Sequence, residues 1–242
     1  MNLHPQNLLA TLLESSVSTH CSILGRIVHA YIIRTHQTPF PSFLSNHLVK
    51  MYSKLDLINS AQHVLSLTHL PTVVTWTSLI SGCIHNRRFM AAITHFTNMR
   101  RYSVHPNDFT YPCVFKASAS LQMPITGKQL HSLALKDVRC GYKEDVSVAN
   151  GLIDFYGKCG DIVSSEMVFS RIGMRRNVVS WCSMLAAFVQ NHEEERACMV
   201  FLQAMREVEP TDFMISSVLS ACAELGGLEL GRSIHALALL TQ

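Results

Sequence analysis

The sequence predicts an all-α protein, built as a right-handed α-solenoid of stacked helix-turn-helix units. Three observations lead to this prediction. Blocks of similar sequence recur at intervals of 102 to 105 residues, apolar residues follow helical spacing within the blocks, and strand-like alternation is not sustained. A single helical pair cannot bury its apolar face, so such pairs must stack on their neighbours around a concave groove.

Four sequence blocks recur along the chain in the same order. G-R-I-V-H-A at Gly25 returns as G-K-Q-L-H-S at Gly127 and as G-R-S-I-H-A at Gly231. The other matched blocks begin at Asn46 and Asn150, at Val73 and Val178, and at Asn107 and Thr211. The blocks define a super-period near 104 residues that contains three unequal units. After a short lead at 1–5, we predict units at 6–41 (long), 42–72 (short), 73–107 (standard), 108–145 (long), 146–177 (short), 178–211 (standard) and 212–242 (incomplete long).

Each unit is expected to contain two helices joined by a tight turn. In 146–177 the turn falls at Lys158–Asp161, where Gly160 tolerates a strained backbone and Asp161 can cap the next helix. The irregular piece 136–142 suggests a lengthened loop. Large apolar side chains at helical spacing are predicted to form the core, among them Trp76, Phe96, Phe169, Trp181 and Met205.

Composition narrows the classes of function. Apolar residues make up 48% of the chain and charged residues 15%, which argues against disorder. The net charge of +3 permits a nucleic-acid partner without requiring one. The eight cysteines form no C-x-x-C pair and are interpreted as buried apolar groups in a reducing compartment. No apolar run approaches the roughly 20 residues of a membrane span, so no membrane partner is expected.

The recurring motifs resemble those of a known family. V-V-T-W-T-S-L-I-S at Val73 resembles the standard pentatricopeptide repeat, G-L-I-D-F-Y-G-K-C-G-D at Gly151 its short variant, and the segment from Asp212 to Ala236 its long variant. The order long, short, standard is that of the plant PLS subclass, and the motif sequences are similar to those of mitochondrial C-to-U RNA-editing factors. The resemblance implies stacked pentatricopeptide repeats in an α-solenoid.

The same resemblance implies a function. It is sequence-selective binding of single-stranded organellar RNA, one base per repeat, as part of an organelle RNA-editing or RNA-processing factor, with no cofactor. Other editing factors or a deaminase are the implied partners. The expected location is the mitochondrion, with the plastid as the alternative. The chain stops before the extension and DYW-type deaminase domains of such factors, so we expect a truncated product or a partial gene model.

The resemblance also assigns residues to the reading of RNA bases. The fifth residue of a repeat reads the base together with the last residue, and the second residue wedges against the base plane. The implied pairs are Asn46 with Thr72 for a pyrimidine, Thr77 with Asn107 for adenine, and Asn150 with Asn177 for a pyrimidine, with a leaning to cytosine. The implied wedges are Phe43, Val74 and Val179. A purely structural role as helix-start, cap and turn residues is the alternative for the reading pairs.

The remaining repeats offer weaker positions. Cys182 with Thr211 matches no good code, and no base reading is predicted for Pro112 with Asp145. In unit order, the expected RNA motif is pyrimidine–adenine–any–pyrimidine. His192-Glu193-Glu194 matches half of a zinc-deaminase signature, but the P-C-x-x-C half is missing and the motif falls at a predicted turn, so we expect no enzyme. The alternatives are a helical-repeat protein-interaction scaffold and a non-functional fragment.

Overall fold

A computed structural model describes residues 5–35, 41–137 and 146–240. Within these ranges the regular elements are α-helices and one short 3-10 turn at Gly173–Arg175, which confirms the all-α prediction. The helices are α1 Pro5–Ser18, α2 Ser22–Thr35, α3 Ser42–Lys54, α4 Ile58–Ser66, α5 Val73–His85, α6 Phe89–Arg101, α7 Thr110–Ser120, α8 Pro124–Lys136, α9 Val146–Lys158, α10 Ile162–Ile172, α11 Val178–Gln190, α12 Glu194–Ala204, α13 Asp212–Glu224 and α14 Leu228–Leu240. None of the described helices is long and apolar enough to cross a membrane.

The chain forms two compact units, residues 1–117 and 118–242. In the first unit α3 packs against α1, α4 and α5, and the interface is filled by fully buried side chains such as Leu48 and Ile80. In the second unit α9 packs against α10 and α11 in the same manner, with Leu152 and Leu185 buried. Each unit is therefore a stack of antiparallel helical pairs with a continuous apolar core.

Most side chains predicted for the core are buried. Trp76, Phe96, Phe169 and Trp181 are each less than 9% exposed. The prediction was wrong for Met205, which is 37% exposed. Its position explains the error, because α12 ends at Ala204 and Met205 is the residue that terminates the helix.

One turn geometry joins the two helices of every described pair. The turn has three residues, and the middle one has a positive φ between +51° and +77°. The third residue donates its backbone N–H to the carbonyl five residues back, at 2.8 to 3.1 Å, which is the Schellman arrangement. The middle residues are His20, Asp56, Arg87, Gln122, Gly160, His192 and Gly226. The predicted turn at Gly160 is confirmed, and the Asp161 carboxylate caps α10 by accepting from the Ser164 N–H at 3.1 Å.

Small residues allow the first helices of neighbouring pairs to approach closely. A Cβ atom placed on Gly82 of α5 would lie 2.2 Å from the Cβ of Ser53 in α3. A Cβ on Gly157 of α9 would lie 2.5 Å from the Cβ of Ala187 in α11. Both distances are far below van der Waals contact, so each helix crossing requires a glycine on one side.

A histidine–tyrosine contact recurs between neighbouring pairs in both units. Nδ1 of His29 lies 2.7 Å from the Tyr52 hydroxyl, and Nδ1 of His131 lies 2.8 Å from that of Tyr156. Burial lowers the pKa of both imidazoles. These two histidines therefore join neighbouring helical pairs. Their neutral form is favoured.

Candidate nucleic-acid interface

The predicted reading residues meet at the starts of the first helices. Each fifth residue lies within the first two turns of such a helix. Thr72 and Asn177 immediately precede the first helix of the next pair, and Asn107 lies three residues before the first residue of α7. The structure brings together Asn46 with Thr72, Thr77 with Asn107, and Asn150 with Asn177, through hydrogen bonds made directly or through a shared neighbour. Three pair sites result, two in the first unit and one in the second.

The first pair site is a network of three polar side chains. The Thr75 hydroxyl lies 2.5 Å from Oδ1 of Asn46, and the Thr72 hydroxyl lies 3.5 Å from the same oxygen. Thr72 caps α5 by accepting from the Thr75 N–H, and Thr75 in turn accepts from the Thr72 N–H at 3.1 Å. The oxygen of Asn46 is thus occupied, which leaves its amide nitrogen as the group offered to a ligand.

The second pair site has the same plan with different residues. Oδ1 of Asn107 accepts from the backbone N–H groups of Phe109 at 3.2 Å and Thr110 at 3.0 Å, and from the Thr110 hydroxyl at 2.8 Å. The Thr77 and Thr110 hydroxyl oxygens are 2.7 Å apart. Because only an oxygen can accept from two N–H groups, the orientation of the Asn107 amide is determined, and its nitrogen remains a donor.

The third pair site lies in the second unit and is more enclosed. Oδ1 of Asn177 caps α11 through the Ser180 N–H at 3.0 Å, and also accepts from the Ser180 hydroxyl and from Nδ2 of Asn150. Asn150 is 6% exposed, and its own Oδ1 is buried without a hydrogen-bond partner. An unpartnered buried acceptor is costly, so this oxygen is a candidate to accept a hydrogen bond from a base.

The cap interpretation and the reading interpretation apply to the same residues. Thr72, Asn107 and Asn177 all accept backbone N–H bonds at a helix start, as the structural alternative expected. Asn46 and Asn150 instead direct their bonds to side chains of the following helical pair. Capping uses only the oxygen of Asn107 and Asn177, and it leaves the nitrogen available.

Apolar side chains predicted as wedges are exposed beside these sites. Phe43 is 42% exposed, Val74 53% and Val179 56%. Phe109, the second residue of its repeat, is 67% exposed. Exposed apolar side chains at the same position of these four repeats need an explanation other than the core, and a stacking platform for bases provides one.

One cavity in the first unit brings these features together. It has a volume of about 380 Å³, within the usual range of small-ligand pockets. Its wall includes the second reading pair, two exposed apolar residues and two lysines, namely Thr77, Asn107, Val74, Phe109, Lys50 and Lys54. Burial raises the pKa of the Cys113 thiol, which also lines the cavity, so this group stays neutral.

The weaker positions predicted from the sequence do not form a comparable pair site. The sulfur of Cys182 lies 3.7 Å from the Thr211 hydroxyl, and Thr211 caps α13. Asp145, the proposed partner of Pro112, lies outside the described residues. His192 occupies the turn between α11 and α12, as predicted, and its side chain is 89% exposed. Among the described residues no group of three or more histidine, cysteine, aspartate or glutamate side chains is placed to hold a metal ion.

Sequence reasoning missed the hydroxyl residues that connect the pairs. Thr75, Thr110 and Ser180 are fully buried, and each is hydrogen-bonded to one or both members of a reading pair. The signal was present in the sequence, since each hydroxyl follows the last residue of its repeat by three positions. It is the spacing of a capping box, with threonine or serine in place of the usual glutamate.

Comparison with known proteins agrees with this architecture. The model of the pentatricopeptide repeat (PPR) family matches residues 71–120, and a PPR repeat model matches residues 179–207. The chain superposes on the crystal structure of maize PPR10 in complex with an 18-nt psaJ RNA element with a TM-score of 0.72 at 16% identity, covering 97% of this chain and 34% of that one. A tetratricopeptide repeat protein from Parabacteroides merdae gives 0.65 at 14% identity, covering 96% and 91%. The chain thus has a helical-repeat fold.

Proteins with similar sequences identify the family more narrowly than the fold does. It is 40% identical to the Arabidopsis thaliana pentatricopeptide repeat-containing protein At4g14850, over 98% of this chain and 49% of that protein. It is 33% identical to At3g24000, mitochondrial, over 93% and 35%. The chain is a pentatricopeptide repeat protein of plant type, homologous to these Arabidopsis proteins. It spans about half or less of the length of the curated relatives it matches.

Proposed function

We propose that the chain binds single-stranded RNA sequence-selectively, one base per repeat. The observation that carries the proposal is the cavity of the first unit. Its wall combines the polar pair Thr77 and Asn107 with the exposed apolar side chains of Val74 and Phe109. A splayed-out base needs both elements, an apolar surface for its faces and directed polar groups for its edge.

The polar groups of this cavity match adenine. The oxygen of Asn107 is occupied by backbone N–H groups, so its Nδ2 donates, and it meets the N1 acceptor of adenine. The Thr77 hydroxyl oxygen accepts from the N6 amino group beside it. Guanine offers a donor at N1 and an acceptor at O6, so both contacts would be reversed. Adenine is therefore the base we assign to repeat 73–107.

The other two pairs are assigned to pyrimidines. Asn46 offers its amide nitrogen, because Thr75 occupies its oxygen. Asn150 offers its unpartnered oxygen, and Asn177 offers its nitrogen. That acceptor–donor pair meets the N4 amino group and N3 of cytosine. With long repeat 108–145 contributing no reading, the proposed target is pyrimidine–adenine–any–pyrimidine.

Charge and structural relatives support an RNA ligand. Residues 1–117 contain nine lysines and arginines against three acidic residues, whereas residues 118–242 contain eleven against fourteen, so the net positive charge that attracts phosphates lies in the first half. The solved relative PPR10 is described in complex with an RNA element. The second candidate is a scaffold that binds a peptide in its groove, because the helical-repeat fold, which the chain shares with a tetratricopeptide repeat protein, suits that role as well.

We further propose that the chain acts in an organelle RNA-editing or RNA-processing factor. The PLS order of the predicted units, with the boundaries given above, supports this context. One relative is named mitochondrial and another chloroplastic/mitochondrial, which is consistent with an organelle and with our preference for the mitochondrion. In this proposal any deaminase activity comes from another domain or a partner.

The test is selection of RNA from a random single-stranded pool by the purified chain at low and physiological salt. We expect the four-letter motif above. Asn107→Asp keeps the cap but replaces the donor that meets adenine N1 with an acceptor, so the preference for adenine at the second letter should be lost. Asn177→Asp is the matched control, and it should alter only the fourth letter. A folded protein that enriches no RNA would exclude this function, and peptide capture would then support the scaffold.

A further inference from the structure

A buried hydroxyl accompanies each proposed reading pair and is missing where the pair is missing. We call the third residue of the repeat that follows a pair its third-position residue. After the first, second and third reading pairs the third-position residue is Thr75, Thr110 and Ser180, respectively. All three are fully buried. Where the fifth residue is Ala10, Pro112 or Cys182 instead, the third-position residue is Leu44, Val148 or Met214.

Hydrogen-bond arithmetic at Thr110 shows what this hydroxyl does. Its single proton goes to Oδ1 of Asn107, which can only accept. Its oxygen already accepts from the Asn107 N–H at 3.2 Å. The remaining lone pair faces the Thr77 hydroxyl at 2.7 Å, so Thr77 must donate its proton there. The hydroxyl of Thr77 is then left with lone pairs only, and it faces the base as an acceptor.

The other two hydroxyls act on the amide groups of asparagines. The Thr75 hydroxyl donates to Oδ1 of Asn46 and holds the amide nitrogen toward a ligand. The Ser180 hydroxyl donates to Oδ1 of Asn177, the oxygen that also accepts from the Ser180 N–H and from Nδ2 of Asn150, and so reinforces the orientation of the Asn177 amide. In each case the buried hydroxyl restricts which atom of the pair is presented as donor or acceptor.

We propose that Thr75, Thr110 and Ser180 are positioning residues that set the base selectivity of the neighbouring repeat. The proposal rests on the RNA-binding function above and adds a third, buried member to each reading pair. These residues touch no base themselves. They act on the ligand by removing one hydrogen-bonding option from a side chain that does.

The test compares Thr110→Val, which keeps the shape and removes the hydroxyl, with Thr110→Ser, which retains it. The full chain is titrated with fluorescent RNAs that carry adenine, guanine, cytosine or uracil at the second letter of the selected motif. In Thr110→Val the Thr77 hydroxyl loses its acceptor and can donate to guanine O6. We expect the ratio of adenine to guanine affinity to fall on the order of tenfold, the equivalent of one hydrogen bond. Thr110→Ser should keep the ratio of the unaltered chain.

Selectivity distinguishes positioning from simple stabilisation. Equal loss of affinity for all four RNAs, or an unchanged ratio in a folded Thr110→Val protein, would overturn the proposal. If Thr110→Val does not fold, Thr75→Val provides the same test at the first letter, because side-chain hydroxyls hold the Asn46 oxygen. If the unaltered chain shows no preference at the second letter, the proposed function itself fails, and this is seen before any variant is made.

Discussion

Replacement of Gly82 by alanine tests whether the helical pairs stack as closely as the structure shows. The added methyl would lie 2.2 Å from the Cβ of Ser53 and 3.1 Å from its Cα. Helix α5 would have to move away from α3 by more than an ångström to accommodate it. Overpacking of this kind typically costs 1–3 kcal/mol, roughly, whereas glycine-to-alanine exchange inside a helix gains up to about 1 kcal/mol. We therefore expect a net destabilisation of about 1–2 kcal/mol.

Gly231 provides the matched control within the same chain. It also lies inside a helix, but the nearest atom to an added Cβ would be the Cys222 Cβ at 3.7 Å, an ordinary contact. Gly231→Ala should therefore be neutral or stabilise by up to about 1 kcal/mol. Urea denaturation followed by circular dichroism measures both variants. A shift in the midpoint is sufficient for the comparison, because a repeat protein need not unfold in two states.

The second unit suggests a variant that restores the fit. Gly157 and Ala187 form the equivalent crossing there, with the glycine on the other helix. Ser53→Gly combined with Gly82→Ala copies that arrangement, and it removes a buried hydroxyl that has no partner. The double variant should be more stable than Gly82→Ala alone. If Gly82→Ala were as stable as Gly231→Ala, the close approach of α3 and α5 would be refuted.

Four further predictions follow from other contacts. Burial lowers the pKa of His131, so the unfolded chain takes up the proton first as the pH falls. The stability present above the unfolded pKa, near 6.5, is therefore lost as the pH falls through the folded pKa. His131→Gln should reduce the loss of thermal stability between pH 7.5 and 5. Arg176 lies over two aromatic rings at 4.4 and 5.4 Å from the centroids, and Arg176→Met should cost about 1 kcal/mol in urea denaturation. Arg87 has a φ of +56°, and Arg87→Gly should stabilise by up to about 1 kcal/mol, measured in the same way. Lys54→Gln should lower the slope of RNA affinity against salt by about 1.

Each of these predictions has a contrary outcome. Unchanged acid sensitivity in His131→Gln would show that other groups, such as the buried His95, dominate the pH dependence. Full stability of Arg176→Met would mean that the ring contacts contribute nothing in water. A less stable Arg87→Gly would argue against a strained turn, and Gly160 already shows a glycine in the same place. If the slope of RNA affinity against salt is unchanged in Lys54→Gln, Lys54 does not contact an RNA phosphate.

The repeat pattern predicted the helices well because stacking imposes it on the sequence. Each helical pair must bury an apolar face against its neighbours, so the apolar spacing recurs with the pair. The turns were harder to predict. Five of the seven middle residues with positive φ are not glycine, and His20 or Gln122 shows no local signal for a left-handed backbone. There the surrounding Schellman hydrogen bonds impose the conformation.

The candidate site was predicted only in part. The reading pairs came from position within a repeat, and position alone says which residues are near each other. It does not say which atoms are already occupied. That information depends on contacts between repeats, such as Thr77 with Thr110, which are 33 residues apart. The orientation of the Asn107 amide likewise follows from two backbone N–H groups that only the folded turn brings to it.

The last residue of a repeat both caps the next helix and, in our proposal, reads a base. This combination limits how such a protein can change its target. Where this residue caps the next helix, as Thr72 and Asn177 do, it belongs to the small set of good caps, mainly asparagine, aspartate, serine and threonine. Exchanges within that set preserve the fold and still switch a donor for an acceptor. New specificities are therefore reachable by single substitutions that leave folding nearly untouched. Any base that would need a residue outside the set is accessible only at the expense of a helix start.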